Sequence, residues 1–333
     1  MKIVREVDRV KWADFVYNHP NGNIFQTPEM YEVYKNTKNY EPNFLAVVNE
    51  DDEISGVLLS VVQRENIRPI SRLTERSIIW GGPLIKDEDT KVFTLILGEY
   101  EKIAKKRAVY SQFRNLFDMQ KFSKIFYHFG YSFENHLNII IDLKKSEEVL
   151  WKEIHCERRH NIRRALNKGT FVEEIKNFSD LLRIYHIICQ VYNNAKLPIA
   201  DKSLFEGAVR ILSPHGMVKC FGAFYCNEII GVRFVLSYKK SLYDWYAGSK
   251  REFRNKYPND LLPWEIFKWG ILHGYEVFDF GGAGKPNKPY GVREYKRKFG
   301  GKFIESGRYV KEHKPILMQI SKVGFKIIKK LNI

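Results

Sequence analysis

Residues 276–301 read EVFDFGGAGKPNKPYGVREYKRKFGG. Val277, Phe278 and Phe280 form a short apolar strand interrupted by Asp279, and Gly281, Gly282 and Gly284 then free the backbone to turn sharply. Lys285 and Lys288 stand beside Pro286 and Pro289 in the loop that follows. From Gly291 onward, Val292, Tyr295 and Phe299 recur at i, i+3 and i+7, which predicts a helix with Lys296 off its apolar stripe. A glycine loop between a strand and a basic helix gathers backbone N–H groups and cations around an anion, because a helix N-terminus is itself electropositive.

The rest of the chain sets the scale. At 333 residues, 44% apolar and 14% aromatic, it suits two globular domains better than one core. No run approaches the roughly 18 uncharged apolar residues of a membrane-spanning helix. The opening MKIVREVDRVKW is too charged for a secretory signal, so a cytoplasmic protein is expected. Cys156, Cys189, Cys220 and Cys226 lack metal-ligand spacing and are expected as buried, reduced thiols. The net charge of +16 favours a polyanionic partner: RNA, anionic lipid or a phosphate-bearing substrate. A solvated basic surface would give the same number.

An element-level repeat runs through the chain. NFLAVV, an acidic turn and ISGVLLSVVQ in the first half are answered by residues 221–225, a turn at Asn227 and Glu228, and IIGVRFVLSY in the second, with Gly56 matching Gly231. A further strand, a long helix and a short strand follow each pair. Two copies of one domain fold are expected, joined near residues 142–147, which gives domains 1–144 and 145–333.

Three helical stretches carry candidate contacts. Thr27 as N-cap and Pro28 in the first turn predict a helix to about Lys38, with Lys35 four residues after Tyr31 on its side. LWKEIHCERRHNIRRALNKG places Arg158, Arg159, Arg163, Arg164 and Lys168 around an apolar face, and arginine suits planar phosphate contacts. Residues 314–333 read as a basic amphipathic helix, suited either to an anionic membrane surface or to packing on the second domain. His155 and His186 read as packing or surface residues.

GVREYKRKFGG resembles the closing motif of the Fem-type (FemABX) non-ribosomal peptidyltransferases: Gly, two or three residues, Phe/Tyr-Lys, two residues, Phe-Gly. The run Arg-Arg-x-Asn-Ile-Arg-Arg-Ala resembles the start of their second domain, and Gln26, Thr27 and Lys35 match an N-terminal helix that brings a lysine to the acceptor's phosphates. The resemblance implies an α/β (α+β) fold of two tandem GNAT-like domains, each a mixed, mostly antiparallel sheet flanked by helices. It also implies transfer of an aminoacyl or acyl group to an amine of a phosphate-bearing cell-envelope precursor, from aminoacyl-tRNA or acyl-CoA, with no tightly bound cofactor and no metal.

Such an amine attacks an ester or thioester carbonyl, so the site must stabilise an oxyanion and take up a proton. Lys296 is the candidate for the first task. Asp279 is the candidate for the second, with loop capping as its plainer reading. Lys35, Arg158, Arg159, Arg163, Tyr246, Gly281, Gly282, Lys285 and Tyr290 are the candidate substrate contacts. No Ser-His-Asp or Cys-His arrangement is legible, which favours direct transfer over a covalent enzyme intermediate.

Two departures from the family stand out. Ile199 and Ala200 occupy a place where some members carry an arginine, and the segment after Tyr246 lacks the pyrophosphate loop of CoA-dependent GNAT enzymes. The alternatives are an acyl-CoA-dependent N-acyltransferase acting on an amino sugar of a surface polysaccharide, and a non-catalytic RNA- or membrane-binding protein.

Overall fold

The computed structural model describes residues 1–64 and 75–320. The first half of the chain forms β1 (Lys2–Val4), α1 (Arg9–Asn18), α2 (Pro28–Lys35), β2 (Tyr40–Val48), β3 (Ile54–Gln63), β4 (Arg76–Trp80), β5 (Leu84–Ile85), α3 (Thr90–Arg107), β6 (Tyr110–Arg114), α4 (Ser123–His128), β7 (Ser132–Glu134) and β8 (Asn138–Asp142). The second half forms α5 (Glu147–Glu153), α6 (Cys156–Asn167), β9 (Phe171–Glu174), α7 (Leu181–Asn194), α8 (Lys202–Leu212), β10 (Val218–Tyr225), β11 (Glu228–Tyr238), β12 (Ser241–Ser249), α9 (Pro258–Leu272), β13 (Val277–Gly282), α10 (Gly291–Arg297), β14 (Lys302–Ile304) and β15 (Arg308–Glu312).

These elements build two compact units, Met1–Asn135 with Ser306–Ile333, and His136–Glu305. The first unit's sheet runs β1-β2-β3-β4-β6-β15-β7, and the second's, taken in the matching direction, runs β9-β10-β11-β12-β13-β8-β14. The two orders correspond strand for strand. In each, a parallel pair (β4 with β6, β12 with β13) is bridged by a long helix within an otherwise antiparallel sheet. This is the mixed sheet, flanked by helices, that the resemblance implies, present twice as the repeat predicts.

The correspondence extends to single residues. An extra residue interrupts the ladder just before Gly56 in β3 and just before Gly231 in β11. Each glycine is where the following helix presses on the sheet. A Cβ on Gly56 would meet Val92 of α3 at 2.8 Å, and one on Gly231 would meet Pro258 of α9 at 3.0 Å.

The units differ from the expected domains 1–144 and 145–333 at both ends, for one topological reason. β8 closes the first repeat but pairs with β13 and β14 in the second sheet, while β15 closes the second repeat but pairs with β6 and β7 in the first. The two repeats have exchanged their last strands. Hydrophobic patterning marks a strand without naming its partner, so the exchange is invisible in a linear reading.

Each unit has its own core. In the first, α3 presents Val92, Phe93, Ile96, Leu97, Tyr100 and Ala104 on one stripe to Leu45, Leu58, Ile79 and Phe113 of the sheet. In the second, Leu261, Leu262, Ile266 and Phe267 of α9 meet Ile141, Val235, Leu242, Phe278 and Phe280. Thr27 caps α2 by accepting from the Met30 N–H at 3.2 Å. Gln26 is fully buried and clamps β3 and β4 through Leu59 and Trp80.

Of the four cysteines, Cys220 is buried but Cys156 and Cys226 are exposed, contrary to the expected burial. The helix expected at 314–333 is described only to residue 320, with 315–320 helical; the remainder lies outside the described residues. Among the described residues no helix is long and apolar enough to cross a membrane, and no group of three metal-ligating side chains occurs.

Candidate active site

The two units differ where their parallel strands end. In the first, β4 and β6 stay paired from Arg76 opposite Tyr110 through Trp80 opposite Arg114, and the Arg114 guanidinium lies 4.2 Å over the Trp80 ring. In the second, pairing of β12 with β13 covers Ser241–Tyr243 and Val277–Asp279 and then stops, although both strands continue. Two local causes are visible. Trp245 is an extra residue in the β11–β12 ladder, where Phe234 faces Tyr246 but Val235 faces Asp244, and such a bulge bends and twists its strand. On the other side, Gly281 takes φ +69°, a conformation that favours glycine, and turns β13 away. The strands part at Asp244 and Phe280.

Lys296, Asp279, Gly281 and Gly282 meet at this parting. The Lys296 ammonium donates to the carbonyls of Phe280 (2.6 Å) and Gly282 (2.9 Å), which pins α10 to the glycine turn and leaves one of its three N–H groups. Burial pushes its pKa down, opposed by the charges of Asp244 and Asp279. Asp279 accepts from the Gly281 N–H at 2.6 Å and from the Asn138 amide at 3.3 Å. Burial nevertheless raises its pKa to about 6, against those hydrogen bonds and Lys296. It caps the loop and is also poised to exchange a proton near neutrality.

Beneath them lies a pair absent from the sequence reading. Arg233 of β11 donates to Asp244 Oδ2 of β12 at 2.6 Å, with side chains 4% and 9% exposed. A second guanidinium nitrogen of Arg233 reaches the Tyr295 hydroxyl at 3.3 Å, and that hydroxyl donates to the Asn259 carbonyl. The signal was present in the sequence: Arg233 and Asp244 are single charges inside otherwise apolar strands, and a buried ionisable group requires a partner or a task.

The remaining candidates distribute around this core. Tyr246 packs 5.8 Å from Tyr192 of α7, whose pKa burial pushes up to about 12, with Asp244 and Tyr290 adding to the shift. Tyr290 is exposed at the start of α10. Lys285 sits on the exposed loop, whose carbonyls at Lys285 and Lys288 are held by Arg293 at 2.7 and 2.5 Å.

Arg158 is committed to Asp260 of α9 at 2.5 Å and lies 5.1 Å over the Tyr295 ring, so it braces the site from below. Arg159 is half-buried on α6, and Arg163 is exposed over Trp151. Lys35 belongs to the first unit, exposed in the last turn of α2.

Residues 157–297, the span that carries the site, match the acetyltransferase (GNAT) domain family. Fold and matched domain together define an acyltransferase of tandem GNAT-like architecture, and the chain is similar to proteins of the FemABX type. Among curated proteins, the lipid II:glycine glycyltransferase of Staphylococcus haemolyticus is 21% identical, over 86% of this chain and 87% of that protein. The crystal structure of FemX superposes with a TM-score of 0.72 at 16% identity, covering 96% of this chain and 99% of the other. A tandem GNAT protein from the clavulanic acid biosynthesis pathway gives 0.61 at 9% identity, covering 94% and 98%.

Proposed function

We propose that the protein transfers an aminoacyl group from an aminoacyl-tRNA to an amine on a phosphate-bearing precursor of the cell envelope, with the second unit's split strands as the transfer site. One observation carries this reading: β12 and β13 part beside Lys296 and Asp279, whereas the equivalent strands of the first unit stay closed. The kinship with a lipid II:glycine glycyltransferase supports the acceptor class. The +16 charge suits both a phosphorylated acceptor and an RNA-borne donor.

In the transfer, the acceptor amine's lone pair forms a C–N bond to the ester carbonyl carbon, and the carbonyl electrons move onto oxygen. The remaining Lys296 N–H stabilises that oxyanion from a fixed position. Asp279 takes the proton that the nitrogen sheds. Collapse of the intermediate expels the ribose oxygen, which takes that proton from Asp279 and leaves as the hydroxyl of the tRNA end, restoring the carboxylate.

Acyl-CoA remains the rival donor, because the matched domain family is named for acetyl transfer. Incubation with a mixture of charged tRNAs or with acetyl-CoA, each with nucleotide- and lipid-linked envelope precursors, separates the two by the mass added to the amine. An aminoacyl increment that depends on RNA supports the reading. An acetyl increment without RNA overturns it.

A further inference from the structure

We propose that Asp244 selects the transferred group: its unengaged carboxylate oxygen receives the α-ammonium of the donor, so the site takes aminoacyl groups in preference to plain acyl groups. The inference rests on the reading of the second unit's split strands as the transfer site, and it adds which chemical feature of the donor is recognised and by which atom.

The geometry is specific. Asp244 Oδ2 is held by Arg233, and Oδ1 is buried with no hydrogen-bond partner; the side chain is 9% exposed. A buried carboxylate oxygen without a donor is costly and rare, and it is retained where something else supplies the donor. Asp244 stands at the first position after β12 and β13 stop pairing, immediately before the bulged Trp245 that re-aims the strand.

The groups whose fields it shares are Lys296, Asp279, Tyr192 and Tyr295, from α10, β13 and α7. Neither nearby cation donates to Oδ1, although Arg233 Nε is also buried without a partner. Arg233 is tied to Oδ2 and Tyr295, and Lys296 is tied to the carbonyls of Phe280 and Gly282.

An ammonium brings both an N–H donor and the opposite charge to Oδ1. A hydrocarbon acyl chain brings neither and would leave the oxygen desolvated and unpaired, the situation in which a polar site rejects an analogue most strongly. Carboxylate-bearing acyl groups would be repelled. Proton uptake from the attacking amine falls to Asp279, so Asp244, fixed by Arg233, is a specificity residue.

The test uses tRNA ending in 3′-amino-3′-deoxyadenosine, whose amide-linked cargo does not react. It is charged in turn with glycine, alanine and serine and with the des-amino isostere of each (acetyl, propionyl and 3-hydroxypropionyl), and binding to the full-length protein is measured. At least one aminoacyl form should bind about 100-fold more tightly than its isostere, and Asp244→Asn should remove the difference by weakening the ammonium form alone.

Equal binding of the aminoacyl and des-amino forms overturns the proposal while leaving tRNA as donor. Binding of acetyl-CoA with no binding of any charged tRNA overturns the donor reading and this inference together. If Asp244→Asn does not fold, the wild-type comparison decides by itself.

Discussion

At the level of single residues, the account depends on Lys296 and Asp279 having separate tasks. Lys296→Met keeps the stem's packing and removes the cation. If the ammonium stabilises the oxyanion, kcat should fall roughly a hundred- to thousand-fold, about 2.7–4 kcal/mol in the barrier, with little change in KM. Steady-state kinetics with the identified donor reads this directly, and a variant that keeps wild-type turnover would reduce Lys296 to an anchor of the glycine turn.

Asp279 predicts a pH profile. As a base it works deprotonated, so kcat/KM should rise through an apparent pKa of about 6, and Asp279→Asn should lower the rate and abolish that limb. Stability carries the opposite sign. The folded pKa of about 6 lies above the unfolded carboxylate value of 3.8. The folded state therefore binds more protons between them, and this group's contribution to stability falls as pH rises across that window, by on the order of 2–3 kcal/mol. Asparagine keeps the acceptor for the Gly281 N–H and should flatten that slope in pH-dependent melting.

Both residues were legible in the sequence, because a glycine-punctuated loop advertises unusual backbone. Arg233 and Asp244 were not singled out. Each stands out as a charge within an apolar stretch, but they do not face each other in the ladder, where Arg233 lies opposite Ala247 and Asp244 opposite Val235, so their pairing across the two strands is written in neither strand alone.

Among the elements, the proposed placing of the transfer site in the second unit rests on the parting of β12 and β13. That parting follows from one bulge and one left-handed glycine, neither of which a strand pattern specifies. α7 closes over β12 from the face that carries Tyr246, and it can do so because residue 248 is glycine. A Cβ there would stand 2.9 Å from the Ile187 carbonyl oxygen and the Ile188 Cα, backbone that has no room to yield. Gly248→Ala should cost ~1–3 kcal/mol and lower Tm by ~3–10 °C in calorimetry. Because α7 carries Tyr192, activity should fall further than the melting shift explains. An unchanged Tm would show that α7 does not rest on β12 as described. By contrast, α2 was readable from its Thr27 cap and α6 from its apolar face, since those signals are local.

For the whole molecule, the repeat was legible but its closure was not: matching glycines reveal two copies, while the exchange of β8 and β15 involves pairings far apart in sequence. The exchange predicts that fragments 1–144 and 145–333 each lack the sixth strand of their own sheet and stay insoluble or unfolded when produced separately. Co-expression should restore a soluble 1:1 complex. Cooperative folding of 1–144 alone, followed by circular dichroism, would contradict the exchange.

The central claim is that transfer takes place where β12 and β13 part. It is tested most directly by a crystal structure of the protein with an amide-linked aminoacyl-tRNA end bound. The account predicts the analogue's carbonyl oxygen within about 3 Å of the Lys296 ammonium and its α-nitrogen within about 3 Å of Asp244 Oδ1. An analogue seated in the first unit, or bound in the second with its carbonyl turned away from Lys296, would contradict it.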